Sequence, residues 1–236
     1  MNVVNNVFLS GEKIDLCGPT DDDFDTWAGW FNSQNITQFL EQGKFPNTAR
    51  MQRQWYEKEV SLGRFIALIK DKHGVLLGVT SLSEINYERL SCQTSTVCPV
   101  KSEHARLAPL EARALCTQHA FERFGMNRVW AGNAYPGLLK WSQKYELIGY
   151  KAEGLIVDGF CHGAKKTDSI RSSITRERYS RLLERRSGTL WPGEEKAKQI
   201  LEALRLQTPL AQCVEEAVRA LHIEHDDLLT QIEKSV

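Results

Sequence analysis

Apolar and polar positions alternate along the chain in two periods, and the changes of period mark the elements. The first apolar run, Lys13 to Leu16, is short and stops at Gly18-Pro19. Thr20, with Asp23 three residues on, makes a capping box for a helix that carries Phe24, Trp27 and Trp30 at helical spacing and ends near Asn32. A polar loop with Phe39 and Leu40, then the turn-like stretch Gly43 to Thr48, leads to a second helix over about 49–60. Thr48 is its cap, and Met51, Trp55 and Tyr56 form its apolar face. Two β-branched-rich runs, Arg64 to Lys70 and Val75 to Leu82, flank Asp71-Lys72-His73-Gly74 and predict a hairpin. Leu90 to Val100 alternates and reads as the next strand of an antiparallel sheet. From about Ala108 to Phe124 the period is helical again, with Pro109 in the first turn, where a missing NH costs little. A strand over Arg128 to Gly132, a helix around Gly137 to Leu147, and strands near Tyr150 to Ile156 and Lys165 to Ile174 complete an α+β order by about residue 180.

Past Arg185-Arg186-Ser187-Gly188 the pattern is helix-forming throughout, which divides the chain into a domain over 1–186 and a C-terminal helical extension over 187–236. Thr208-Pro209 opens a helix whose Leu210, Val214, Ala217, Val218 and Leu221 share one face, a surface suited to a partner or to a homodimer. The 236 residues, 42% of them hydrophobic, suffice for one sizeable core. Thirty basic residues balance thirty acidic ones, so no field favours nucleic acid or an anionic membrane surface. No stretch approaches the roughly 20 apolar residues of a membrane span, and the first residues lack a basic segment followed by an apolar run; a cytoplasmic location is expected. Six scattered cysteines without a CxxC pair fit reduced core thiols. Cys92, Cys98 and His104 match no zinc spacing, and His222 with His225 lacks a third ligand, so no metal is expected.

Several strings resemble the GCN5-related N-acetyltransferases (GNAT family), of the branch that modifies protein N-termini or amino sugars. Phe31-Asn32 through Gly43-Lys44-Phe45-Pro46-Asn47-Thr48 is similar to an opening found in members that acetylate amino sugars. Tyr145-Glu146-Leu147-Ile148-Gly149-Tyr150 resembles the family's Tyr-Glu-Lys-x-Gly-Phe segment, and Asp168 through Tyr179 resembles its closing strand. The resemblance implies a mixed, mostly antiparallel central sheet flanked by helices. It also implies acetyl-CoA as co-substrate between two splayed parallel strands, here around Cys92 to Val97 and Arg128 to Gly132, with Thr94, Thr96 and Val97 in contact with it. The pyrophosphate is expected where the next helix opens, since the first NH groups of a helix lack partners and carry partial positive charge. The family's Arg or Gln-x-x-Gly-x-Gly or Ala is replaced by His104-Ala105-Arg106-Leu107-Ala108-Pro109. Both glycines are gone and Pro109 removes a donor, which leaves Lys101, Arg106, Leu107, Ala108 and Arg113 as the loop's remaining contacts.

Acetyl transfer to an amine needs a neutral nucleophile, a donor for the oxyanion and an acid for the leaving thiolate. By resemblance that acid is Tyr145, with half-buried packing as its alternative role. Leu138 stands where an asparagine usually meets the cofactor. The carboxylate often found on the thioester-contacting strand is replaced by Gln93, which cannot act as a base, so Glu84 or His104 is expected to substitute. Trp27, Trp30, Asn32, Phe45 and Tyr87 are the candidate acceptor contacts, since an aromatic wall with a few amides suits a sugar or peptide amine; for the tryptophans core packing is the alternative. The reading is an acetyl-CoA-dependent N-acetyltransferase acting by direct transfer on a small primary amine, for instance an amino-sugar nucleotide. The alternative is a weakened member that keeps the fold as a binding or assembly module.

Overall fold

The computed structural model describes residues 6–162 and 164–206, together with residues 216, 230–232 and 234. Eight strands form one sheet: β1 (Val7–Ser10), β2 (Ile14–Cys17), β3 (Phe65–Asp71), β4 (Leu76–Asn86), β5 (Ser91–Val97), β6 (Arg128–Ala134), β7 (Lys151–His162) and β8 (Lys165–Thr175). Their spatial order is β1-β2-β3-β4-β5-β6-β8-β7, and every pairing is antiparallel except that of β5 with β6. Helices α1 (Asp23–Phe31), α2 (Gln34–Thr37), α3 (Ala49–Ser61), α4 (Ala108–Glu122), α5 (Leu139–Lys144), α6 (Arg176–Arg185) and α7 (Glu194–Leu206) flank it, with a 3-10 turn at Tyr145–Ile148. The α+β class expected from the pattern is the class observed.

Two cores divide the faces of the sheet. On one face α4 buries Leu110, Ala112, Cys116, Ala120 and Phe121 against Leu16, Ile69, Leu82, Cys92 and Val129. On the other, Phe24, Trp27, Trp30 and Phe31 of α1 pack on Ile66, Leu68 and Val79, backed by Trp55 and Tyr56 of α3. Residues 187–206 bear on the first core as well, since Leu190, Trp191 and Ala197 are buried in it. The Trp191 indole and the Glu194 backbone NH both donate to the Glu12 carboxylate, at 3.0 and 2.7 Å.

The observed elements correct the sequence-based expectations in several places. The Thr20–Asp23 box is half formed: the Thr20 NH and hydroxyl both donate to Asp23 at 2.8 Å, but the Thr20 hydroxyl caps nothing and Asp22 is the N-cap. Asp23 is instead committed to a buried pair with Lys70 of β3 at 2.9 Å, which ties α1 to the sheet. The stretch resembling a closing strand to Tyr179 ends as a strand at Thr175, whose hydroxyl accepts from the Arg178 NH and starts α6. β1 and α2 had no periodic signal, being four residues each. The apolar face from Leu210 to Leu221, Cys213, and the pair His222 and His225 lie outside the described residues.

The parallel pair is what positions a site. β5 and β6 are in register over only three pairs, Ser91 with Arg128, Cys92 with Val129, and Gln93 with Trp130. Beyond them β5 stays with β4 as far as Val97, and β6 stays with β8 as far as Ala134. The two strands therefore part, and the backbone groups of residues 94–97 facing the gap have no ladder partner across it. Gly78 of β4 keeps the far end of β5 close: a Cβ there would run into the Val97 carbonyl and lie 2.7 Å from the Cys98 Cα.

Candidate active site

The gap between β5 and β6 opens on the α4 and α5 side into a cavity of about 200 Å³, lined by Gln93 to Cys98, Pro109, Arg113, Gly132, Asn133, Leu138, Trp141 and Tyr145, with Phe39 and Leu40 over it. Tyr145, 5% exposed, begins the 3-10 turn that follows α5. That turn ends at Gly149, whose φ of +87° and tight packing on Leu182 and Ile174 leave no room for a side chain. The Tyr145 ring lies in an aromatic group with Trp141 and Tyr150, centroids 6.3 and 6.1 Å away. The Arg113 guanidinium covers its face at 4.0 Å from the centroid. Arg113 is 2% exposed, gives one hydrogen bond of 3.4 Å to the Thr94 carbonyl, and its Nε has no partner. Burying such a cation without a carboxylate costs on the order of several kcal/mol, which the contact with the Tyr145 ring offsets only in part.

On the opposite face the same gap meets a second cavity of about 270 Å³, lined by Trp27, Phe31, Trp55, Ile66, Val79 and Phe160 as its apolar wall and by Glu41, Arg64 and Glu84 among its polar groups. Gln93, Ser95, Val97, Gly132, Phe39 and Leu40 line both cavities, so the two spaces join through the parted strands. Glu84 reaches this cavity from a bulge in β4: pairing with β5 breaks between Ser83 and Asn86, and Glu84 holds a φ of +48°, a strained conformation for a side-chain-bearing residue. Bulges of this kind re-aim side chains at binding sites. Arg64 is already engaged, by Glu59 at 3.1 Å and by the Ser81 hydroxyl at 3.2 Å. The loop carrying Phe39 to Glu41 is fastened from above, where the His162 ring of β7 lies 3.2 Å from the Leu40 carbonyl.

The candidate residues sort by place. Thr94, Thr96, Val97, Arg113, Leu138 and Tyr145 come together in the first cavity, and Trp27 and Glu84 in the second. His104 and Arg106 line neither. They face a charged surface cleft with Lys13, Lys72 and His73, where the rings of His104 and His73 meet at 5.1 Å. The reason is local: Ala105 and Ala108 turn inward to the core at the start of α4, which turns residues 104 and 106 outward. Leu107 packs against that core, and Lys101 is exposed. Trp30 is buried in the second core, Asn32 exchanges hydrogen bonds with the Asn47 backbone at 2.8 and 2.7 Å, and Phe45 and Tyr87 are exposed outside both cavities. Glu41, Arg64, Trp55 and Phe160 were missed; an aromatic-acidic string such as Phe39-Leu40-Glu41 in a polar loop was the available signal.

At the helix start the Ala108 NH bonds back to Ala105 at 3.1 Å and the Leu110 and Glu111 NH groups to Leu107 at 2.9 and 3.0 Å. The NH groups of Arg106 and Leu107 are left unclaimed among the described residues. Glu111, 1% exposed, fixes this end of α4 by accepting from the backbone NH groups of Glu12 and Lys13. Burial pushes its carboxyl up to about 7, against the opposing pull of those two NH bonds. The thiols near the cleft are held protonated by burial, which pushes Cys92 and Cys98 up to about 12 and Cys116 up to about 11. Among the described residues no group of His, Cys, Asp and Glu could hold a metal, and no helix is long and apolar enough to cross a membrane.

No protein-family model matches the chain, and no curated protein does. Solved structures do. A spermidine N-acetyltransferase from Vibrio cholerae, in complex with CoA and spermine, superposes with a TM-score of 0.61 at 19% identity, over 72% of this chain and 99% of that one. The chain has the acetyltransferase fold. A GNAT-family acetyltransferase from Bacillus anthracis gives a TM-score of 0.60 at 17% identity, over 72% and 99%, and a probable acetyltransferase 0.60 at 21%, over 71% and 95%.

Proposed function

We propose that the chain is an acetyl-CoA-dependent N-acetyltransferase that transfers the acetyl group directly to the primary amine of a small substrate. The observation that carries this reading is the joining of two cavities of different chemistry across the parted strands β5 and β6, with Tyr145 in one and Glu84 in the other. Acetyl-CoA supplies an activated acyl carbon. The unladdered edge of residues 94–97 offers backbone hydrogen bonds to an extended amide-bearing arm in the first cavity. The NH groups of Arg106 and Leu107 are the donors left for its phosphates in place of the missing glycines. Tyr145, with its ring fixed by Trp141, Tyr150 and Arg113, presents its hydroxyl as the proton donor to the leaving sulfur.

On the other side an alkyl amine arrives protonated and must lose a proton before it attacks. Glu84 and Glu41 attract the cation and take that proton through water, a role Gln93 cannot fill. A small cationic amine between aromatic rings and two carboxylates is the acceptor this cavity suits best. The Vibrio cholerae neighbour, named for an amine of that class, supports the choice. An amino-sugar nucleotide would bring a diphosphate toward the same two carboxylates, with Arg64, already paired to Glu59, as its cation. Turnover with acetyl-CoA, measured on linear diamines, amino sugars and their nucleotides, separates the two acceptors. Acetylation of the diamines first is expected, and turnover confined to the nucleotides would replace the cationic acceptor by the sugar.

A further inference from the structure

We propose that Arg113 is the cation that meets the negative charge on the departing sulfur, so that the cleft holds coenzyme A preferentially as its thiolate. This rests on the acetyl-CoA reading above. Arg113 stands in the second turn of α4, lines the same cavity as Tyr145, and is 2% exposed. Its guanidinium makes one long hydrogen bond, to the Thr94 carbonyl at 3.4 Å, and lies against the Tyr145 ring, while Nε is buried without a partner. No carboxylate among the described residues reaches it within 4.0 Å.

The titratable groups around Arg113 supply no countercharge. They are Cys116 on α4 itself, and Tyr145 and Tyr150 at the end of α5 and beyond, with Cys92 of β5 behind Cys116. Burial raises Cys116 to about 11 and Cys92 to about 12 and pushes Tyr150 up further, which keeps all three neutral. A guanidinium cannot discharge itself by losing its proton, so the structure keeps a buried cation facing a cavity. The transfer reaction generates one anion on that side. A bond forms from the amine nitrogen to the acyl carbon, the C–S bond breaks, its electron pair stays on sulfur, and the amine's surplus proton leaves by the Glu84 and Glu41 side. The thiolate stays charged in the cavity while it lies beside Arg113; as coenzyme A leaves that cation its proton affinity returns, and it takes a proton relayed from solvent through the Tyr145 hydroxyl, which ends as it began.

The test is a titration of the thiol of coenzyme A bound to the full chain, read by the ultraviolet absorbance of the thiolate, with desulfo-coenzyme A as the thiol-free control. In the wild type the bound thiol should ionise about one pH unit or more below a free thiol near about 8.5. Once ionised, coenzyme A should bind about tenfold more tightly than the desulfo compound. Arg113→Met should return the thiol to the free value or above it and erase that tenfold preference; Arg113→Lys should keep most of both. Equal ionisation in wild type and Arg113→Met, with both binding coenzyme A, overturns the role of Arg113 and leaves the acetyl-CoA reading intact. Should Arg113→Met fail to fold, the wild type decides alone: a bound thiol ionising at or above the free value overturns the proposal. If the wild type binds neither compound, the acetyl-CoA reading falls and this proposal with it.

Discussion

The two cavities that join between β5 and β6 are made of opposite materials. The first holds a buried arginine with no carboxylate, a tyrosine, and unpaired strand edge. The second holds two carboxylates and five aromatic rings, and its arginine is neutralised by Glu59. In the proposed reaction, positive charge waits on the side where sulfur would depart and negative charge on the side where the amine would arrive. Inside a protein cleft such fixed charges act with less screening than in water. The contrast teaches that the proposed chemistry does not depend on glycines in the α4 loop alone, because the polarity of the passage is set by side chains deeper inside.

The contrast can be broken from either end. Tyr145→Phe removes the proposed acid on the first side and should lower kcat by about 10²-fold to 10³-fold with the dissociation constant for acetyl-CoA changed by less than about twofold. Steady-state kinetics beside calorimetry checks this, and unchanged turnover would remove Tyr145 from the mechanism. Replacing both Glu41 and Glu84 by glutamine removes the negative side and should lower kcat/KM for a cationic amine by about 30-fold, with a flatter salt dependence. A loss that is the same for neutral and cationic acceptors would contradict the charge role.

A third change acts on the support of the passage. The Glu111 carboxyl is raised in the fold to about 7 from 4.5, so between these values the folded chain binds the extra proton. Stability from this group is therefore fully present below about pH 4.5 and is lost as pH rises through about 7, a loss on the order of 3 kcal/mol. Melting curves of Glu111→Gln against wild type across that range should show a flatter pH dependence in the variant; parallel curves would contradict the assignment. The smallest effect is expected at His104, which lies in the outer cleft, where His104→Ala should change turnover by less than about twofold.

Legibility in the sequence followed locality. The hairpin of β3 and β4, the helix α3 with its Thr48 cap, and α4 with Pro109 in its first turn are set by neighbours within a few residues, and they stand where the periodicity puts them. Tyr145, Thr94, Thr96 and Val97, which meet in the first cavity, could be picked out because each sits in a local string tied to a strand or a turn. Glu41, Arg64 and Phe160 were not, because they converge from a loop, the start of β3 and the far strand β7, and no spacing along the chain encodes that meeting. His104 and Arg106 fall outside the two cavities for a rotational reason: the inward turn of Ala105 and Ala108 at the start of α4 is decided by packing against the core. The half-formed Thr20 box shows the same override, since Asp23 serves a buried partner on β3 before it serves its own helix.

The decisive measurement is a calorimetric titration of the full chain with acetyl-CoA, with the shift in melting temperature as its companion. A dissociation constant in the micromolar range, about −8 kcal/mol, is expected from a cleft that keeps its strand edge, its two free NH groups and Arg113. Binding weaker than about millimolar, about −4 kcal/mol, would contradict it and leave the fold as a binding module without the transfer chemistry.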